Sequence, residues 1–495
     1  MEHTAPQPGP RPSPRRPNDA DLPAPLRGKV YPRAVKGVFA RWRVALVWIT
    51  QALFFGLPWL QWNGRQALLF DLEARRFFVF GLVLHPQDFI YLTGLLVISA
   101  MALFLFTAVA GRVWCGYACP QTVYTEIFLW IEKRIEGDRA RRMKLDRAPM
   151  SARKFGLKTA KHSAWLAVSL WTGLTFVGYF SGMRALPGEV LTLQLGPWQS
   201  FWLLFYAGIL YANAGFLREQ VCTYMCPYAR FQSALIDSNT LVVTYARERG
   251  DPRGSRPRKA DPKLMGLGDC IDCGLCVEVC PTGIDIRKGL QNECIGCAAC
   301  IDACDDIMGR VGYAKGLIRY DTASGLARAT SATPTPDAPR SDAPASNAPG
   351  LAALLRAMMR PRVLVYAALL LTITAAMLTH MALRSPLRLD VIRDRGVLAR
   401  EVEDGMIENV YQLRLSNQTE QAAQFTVAVG GLPQAVVAAE ALVTVEANAE
   451  RQVPVRVRVP QGTGKPGSNP IEFSVEARGQ PALSVVERST FFVPR

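Results

Sequence analysis

The sequence predicts a multi-domain membrane protein: an α-helical transmembrane part of five helices, a cysteine-rich soluble insert and a C-terminal β-sandwich. Three observations predict it. Five apolar runs reach the length a bilayer requires, roughly 20 residues without charge. Eight of the twelve cysteines lie between Cys270 and Cys304. Beyond residue 385, apolar and polar residues alternate, with Gly- and Pro-rich turns between the runs. A chain of 495 residues is also too long for one ordinary domain.

At the N-terminus, residues 1–35 are rich in Pro and Arg and are expected to be disordered. Their opening, MEHTAPQPGPRPSPRRP, does not read as a cleavable signal, because no short apolar core follows closely. The apolar runs are 44–60, 89–110, 163–183, 197–217 and 363–383. The first four define a membrane domain over 36–260, and the last a fifth transmembrane helix over 361–384. Residues 1–42 hold eight Lys/Arg and residues 111–162 hold twelve. The intervening loops hold only Arg65, Arg75 and Arg76 in 61–88 and Arg184 in 184–197. Positive charge stays on the cytoplasmic side. The N-terminus, the 111–162 loop and the 218–362 region are therefore expected in the cytoplasm, with the tail outside. The formal net charge of +16 is explained by this topology, and nucleic-acid binding is not expected. Within the 111–162 loop, IEKRIEGDRARRMK reads as a solvated helix lying on the membrane surface.

The insert, 261–320, carries Cys270, Cys273, Cys276 and Cys280, then Cys294, Cys297, Cys300 and Cys304. Cys-x-x-Cys-x-x-Cys-x-x-x-Cys-Pro is a bacterial ferredoxin-like run. When two runs occur together, the fourth cysteine of each serves the other cluster. One [4Fe–4S] cluster is thus assigned to Cys270, Cys273, Cys276 and Cys304, and the other to Cys294, Cys297, Cys300 and Cys280. Gly274 and Gly296 suit a close backbone approach. The second run ends Cys304–Asp305, without the usual proline. Structural zinc in two four-thiolate sites is the competing assignment, but zinc usually takes paired CxxC knuckles. No cysteine lies in 384–495, where disulfides would form, so ligands kept as thiolates fit better than a disulfide framework.

The remaining cysteines form an internal echo. RVWCGYACPQTVYTE follows the second apolar run and EQVCTYMCPYARFQS follows the fourth, each with Cys-x-x-x-Cys-Pro. The residue before a proline is pushed out of the helical region, so each motif is expected to turn there, with Pro120 and Pro227 starting the next helix. If the two hairpins pack as a duplicated unit, Cys115, Cys119, Cys222 and Cys226 converge as redox thiols. Met225 would offer a thioether beside them. Soft sulfur selects Cu(I), zinc or iron–sulfur; the alternative is four buried structural cysteines. Only His3, His85, His162 and His380 are present, and a bis-histidine haem is not expected.

A flexible linker is expected over 321–360, from TASGLARATSATPTPDAPRSDAPASNAPG. In the tail, 385–495, Tyr411, Leu413 and Leu415 alternate with polar residues. So do Phe425, Val427 and Val429, then Val453 to Val459, then Ile471, Phe473 and Val475. Period two predicts an immunoglobulin-like antiparallel sandwich with an interaction role.

Together, the two CxxxCP hairpins, the two-cluster run, the fifth helix and the sandwich resemble the CcoG family, also called FixG or RdxA. The resemblance covers nearly all of the chain from about residue 28. It implies a multi-pass protein of the bacterial cytoplasmic (inner) membrane with a periplasmic tail. The implied activity is that of an oxidoreductase with two [4Fe–4S] clusters. It would reduce Cu(II) to Cu(I) for maturation of cbb3-type cytochrome c oxidase, with copper bound at Cys115, Cys119, Cys222 and Cys226. The implied partners are the bilayer, copper ions, and oxidase assembly factors or a copper exporter. The electron donor stays unidentified, and a homo-oligomer is compatible with this picture. Two other functions remain open: a quinol-linked electron-transfer subunit similar to NapH, and a non-enzymatic assembly scaffold.

Overall fold

A computed structural model describes residues 29–257, 265–326, 358–394, 399–402, 405–419, 421–438, 442–478 and 480–494. The disorder expected for 1–28 and most of the linker, 327–357, fall outside the described residues. The chain divides into two compact units, residues 1–71 with 90–374 and residues 72–89 with 375–495.

The first unit begins with helices α1 (Val38–Gly56) and α2 (Phe89–Ala110). Three helices follow: α3 (Val113–Tyr117), α4 (Pro120–Ile135) and α5 (Arg139–Arg147). Next come α6 (Ala152–Ser181), the short α7 (Leu186–Leu191), α8 (Pro197–Ala212) and α9 (Pro227–Leu235). Gly173 lets α6 lie against α8, since a Cβ there would sit 2.6 Å from the Leu203 carbonyl. Among the described residues, five helices, the fifth at Pro361–Ala382, are long and apolar enough to cross a membrane. The third begins at Ala152, well before the apolar run at 163, because its first turns carry lysines that find buried partners.

Those partners correct the expectation of a solvated surface helix over 131–144. Glu132 is 1 % exposed and Arg142 is 3 % exposed. The Glu132 carboxylate accepts from Arg142 Nη1 at 2.7 Å and from Arg218 Nη2 at 2.6 Å. Lys161 lies 3.2 Å from Glu136, and Lys158 bridges Glu136 and Asp146 at 2.8 and 2.5 Å. The Trp165 ring, stacked on Phe128, faces Lys161 Nζ at 4.6 Å and the Arg218 guanidinium at 5.5 Å. Burial alone would raise the Glu132 pKa, but Arg218, Arg142 and Lys161 together hold it below its ordinary value.

The disorder expected for 1–35 does not extend over 29–35. Tyr31 Oη donates to Asp146 at 2.6 Å, and the Arg33 amide donates to the Glu278 carbonyl at 2.8 Å. Such tertiary partners are invisible to composition.

Two single-turn helices, α10 (Arg247–Gly250) and α11 (Leu275–Glu278), and the longer α12 (Ala299–Val311) belong to the cysteine-rich part. Its folded body is wider than 261–320, because strand Val242–Tyr245 pairs antiparallel with Ile318–Asp321. Two short strands separated by a long insertion leave little local sequence signal. Val243, Ile286, Ile301, Met308 and Leu317 build its core around Cys270 and Cys276. This part also finishes a membrane helix: the Asp302 carboxylate accepts from the amides of Phe39 (3.2 Å) and Ala40 (2.7 Å), capping α1. Helix α13 (Pro361–Ala382) is the fifth span.

The second unit contains the tail. One sheet orders the strands Val436–Ala438, Glu450–Pro460, Met406–Asn417 and Leu387–Arg393, with Arg400–Val402 also pairing Met406–Asn417. The other orders Val443–Val445, Ala423–Gly430, Gly467–Ala477 and Gln480–Val493. The strands pair antiparallel in both sheets. The alternating residues read from the sequence supply the core: Tyr411, Leu413, Leu415, Phe425, Val455, Val457, Phe473 and Val475 are each fully buried. Tyr411 meets Phe473 edge-on at 5.1 Å and donates from its hydroxyl to the Thr490 carbonyl.

Candidate iron–sulfur and thiol centre

All twelve cysteines are free thiols. Within the insert they surround two cavities. Cys270, Cys273, Cys276 and Cys304 line one, with Tyr245, Met308 and Leu317. Cys280, Cys294, Cys297 and Cys300 line the other, which Cys276 also touches. The grouping follows the crossed pairing expected of two interleaved runs. Among the described residues, no three His, Cys, Asp or Glu side chains gather closely enough to hold a single metal ion. Four soft thiols around a cavity suit a larger iron–sulfur group better than tetrahedral zinc, whose sulfurs stand about 2.3 Å from one ion.

The local fold explains the spacing. Gly274 (φ 69°) and Gly296 (φ 67°) adopt left-handed backbone inside the two loops. Arg287 braces the first loop with 2.7 Å ion pairs to Asp272 and Asp285. Burial pushes the Cys276 and Cys294 thiols up to about 12 and Cys297 up to about 11. Burial also raises Cys300 and Cys304. Binding of iron as thiolate ligands releases these protons. Cys273 is the exposed member of the eight.

The two CxxxCP motifs turn as expected: Cys119 and Cys226 are extended, and Pro120 and Pro227 open α4 and α9. The second motif needs more strain than its sequence indicates. Residues 213–217 and 221–225 form wide π-type turns, and between them Arg218 takes φ 38°. Its ion pair with Glu132 and the bond from Nε to the Gly215 carbonyl (3.0 Å) hold that backbone in place. Glu132 lies on the helix that the first motif starts, so one motif fixes the other. Sequence reasoning missed this clamp, because Glu132 and Arg218 are 86 residues apart.

The four membrane-border thiols lie near enough to influence one another electrostatically, but among the described residues no three of them gather closely enough to hold one metal ion, so the expected four-thiol site is not formed in this arrangement. Burial pushes Cys115 up to about 11 and Cys222 up to about 12, and it also raises Cys119. Cys115 Sγ donates to Gln232 Oε1 at 3.3 Å. Met225 is 60 % exposed and is not enclosed with them.

These thiols meet the insert directly. Cys115 and Cys222 pack on the cluster of Cys297, Val279, Ile295 and Ala303. A Cβ on Gly116 would stand 2.8 Å from the Cys297 amide nitrogen and Cα. Arg112 reaches across the same junction, donating to the carbonyls of Asn292, Cys294 (3.5 Å) and Ala229 (2.6 Å). Gly116→Leu is expected to push the two parts apart. Iron content should be kept, while electron transfer to an acceptor at the thiols slows severalfold in stopped flow.

Comparison with known proteins agrees with this architecture. Residues 217–323 match a family model described as a 4Fe-4S dicluster domain, and residues 92–137 one described as a 4Fe-4S binding domain. Residues 377–494 match the IG-like fold at the C-terminal of FixG. Over 458 residues the chain is 38 % identical to the nitrogen fixation protein FixG of Rhizobium meliloti, covering 89 % of this chain and 87 % of that protein. The chain belongs to the FixG family. Protein RdxA of Cereibacter sphaeroides is 39 % identical over 450 residues, covering 88 % of this chain and 90 % of RdxA. A more distant relative, the ferredoxin-type protein NapH of Haemophilus influenzae, is 26 % identical over 217 residues, covering 38 % of this chain and 66 % of NapH. This FixG relative is thus an iron–sulfur membrane protein with a redox function and an Ig-like tail.

Proposed function

We propose that this chain is a cupric reductase of the cytoplasmic membrane. Cys270, Cys273, Cys276 and Cys304 hold one [4Fe–4S] cluster, and Cys280, Cys294, Cys297 and Cys300 hold the other. When bound, these groups supply one-electron carriers. Cys115, Cys119, Cys222 and Cys226 are where Cu(II) takes up one electron and becomes Cu(I). The observation that carries this reading is the contact of Gly116 with Cys297, which brings the paired thiols against the insert. Thiolate sulfur prefers Cu(I), so binding the product lowers its free energy and favours reduction. Two thiolates suffice for Cu(I), which tolerates low coordination. In this reading the thiols and the insert face the cytoplasm and the sandwich faces the periplasm. The Cu(I) product passes to a copper exporter and to factors that mature cbb3-type oxidase, as the family resemblance implies.

The test is anaerobic. Reduced protein freed of excess reductant is mixed with Cu(II) and a Cu(I)-specific chelator. Visible absorbance should recover in step with Cu(I) formation, and Cys222→Ser/Cys226→Ser should slow the recovery at least tenfold, about 1.4 kcal/mol in the barrier. Protein that stays reduced while Cu(II) persists would remove copper as the acceptor.

A further inference from the structure

Arg112 immediately precedes α3 and is 8 % exposed. Its guanidinium donates to the carbonyls of Asn292, Cys294 (3.5 Å) and Ala229 (2.6 Å). These partners are neutral. Among the described residues no carboxylate pairs with Arg112, and its Nε is buried without a hydrogen-bond partner. The backbone fits as closely, since a Cβ on Gly296 would stand 3.1 Å from the Arg112 carbonyl. A guanidinium is always charged, and a buried charge is costly unless an opposite charge meets it.

Two other arginines near the eight thiols are neutralised. Arg43, whose charge acts on Cys297, pairs with Glu126 at 2.7 Å. Arg287, whose charge acts on Cys276, is held between Asp272 and Asp285, each at 2.7 Å. Asp305, beside Cys304, adds a buried anion to that side. The inner cavity, of Cys280, Cys294, Cys297 and Cys300, therefore faces an unbalanced cation. The outer cavity, of Cys270, Cys273, Cys276 and Cys304, does not have this from Arg287. The Arg112 charge also spans the junction with the membrane-border thiols. Burial raises Cys294 and Cys115, and Arg112 opposes the rise at both.

We propose that Arg112 is the counter-cation of the inner cluster, where it favours the reduced state and draws the electron towards the membrane-border thiols. Four thiolate ligands make a loaded [4Fe–4S] centre net negative, and reduction adds one more negative charge. A fixed cation at the Cys294 carbonyl stabilises that added charge and raises the potential of the inner centre. Arg287, already met by two carboxylates, gives the outer centre little of this. One electron passes from the reduced outer centre to the oxidised inner one, with no bond or proton exchanged. Arg112 is thus a positioning residue that acts by charge through the ligand loop. The inference rests on the two clusters occupying these cavities and is independent of copper as the acceptor.

The test is an anaerobic redox titration of full-length protein in detergent, followed by electron paramagnetic resonance. Cys273→Ala, which keeps the inner centre alone, assigns the two signals. Arg112→Gln should lower the potential of the inner centre only. The share of one electron between the centres should shift at least tenfold towards the outer one, about 59 mV for a one-electron couple. Arg112→Lys keeps the charge and loses the planar fork, so its potentials should stay near those of the unaltered protein. A residue that only braced the loop would be damaged alike by both substitutions. Asp272→Asn, which removes one of the two anions on Arg287, should raise the outer potential alone, and it decides the matter where Arg112→Gln takes up no iron. An inner potential unmoved by Arg112→Gln, equal shifts in the Gln and Lys variants, or an outer potential unmoved by Asp272→Asn would overturn the proposal and leave the cluster assignment standing. Unaltered protein without two separately reducible centres would remove the cluster assignment and the proposal with it.

Discussion

Glu132→Gln is expected to destabilise the membrane-border module by about 3–5 kcal/mol, the cost of leaving buried cations without their anion. The substitution keeps shape and removes the charge that Arg142, Arg218 and Lys161 share. Thermal unfolding in detergent should show the helical transition lowered by many degrees. The β-sandwich transition should not move, because its core is built wholly from residues 387–493. The pH dependence has a fixed sign. Glu132 is held below its ordinary value of 4.5 in the folded chain. Its stabilisation is complete above that value and is lost as pH falls through the lower folded pKa. The variant should lack this portion of the acid sensitivity. It should also lose copper reduction, since Arg218 would no longer hold the strained turn before Cys222.

Cys300→Ala should halve the iron bound per chain and abolish copper reduction. Cys300 lines only the cavity nearer the membrane thiols, with Cys280, Cys294 and Cys297. Cys273→Ala should also halve the iron, but from the outer cavity. The spectrum of the remaining reduced centre should differ between the two variants. Identical residual spectra, or loss of all iron in both while the helices stay folded, would break the crossed assignment of the cysteines.

The parts of this chain legible in its sequence are those written in local pattern. The cysteine rhythm from Cys270 to Cys304 predicts the two ligand sets, and uncharged runs such as Phe89–Ala110 predict the spans. Period-two residues such as Val453, Val455 and Val457 predict the sandwich core. What stayed hidden depends on partners far apart in the chain. IEKRIEGDRARRMK has the composition of a solvated helix, and distant partners such as Lys158, Lys161 and Arg218 make it interior. The pairing of 242–245 with 318–321 is similarly non-local. The cavity lined by Val35, Val44, Trp130 and Val279 likewise gathers residues far apart in the chain, and no window of sequence contains it.

The cap that Asp302 places on α1 gives biogenesis an order. The first membrane helix is made early, yet the carboxylate that completes its start comes 262 residues later. That carboxylate sits on α12 between Cys300 and Cys304, so the segment that receives iron also seals the first helix. A chain whose insert has not folded leaves the amides of Phe39 and Ala40 without the Asp302 carboxylate and Arg33 without the Glu278 carbonyl. A protease that tests the start of the first helix therefore reads whether the distant insert has folded.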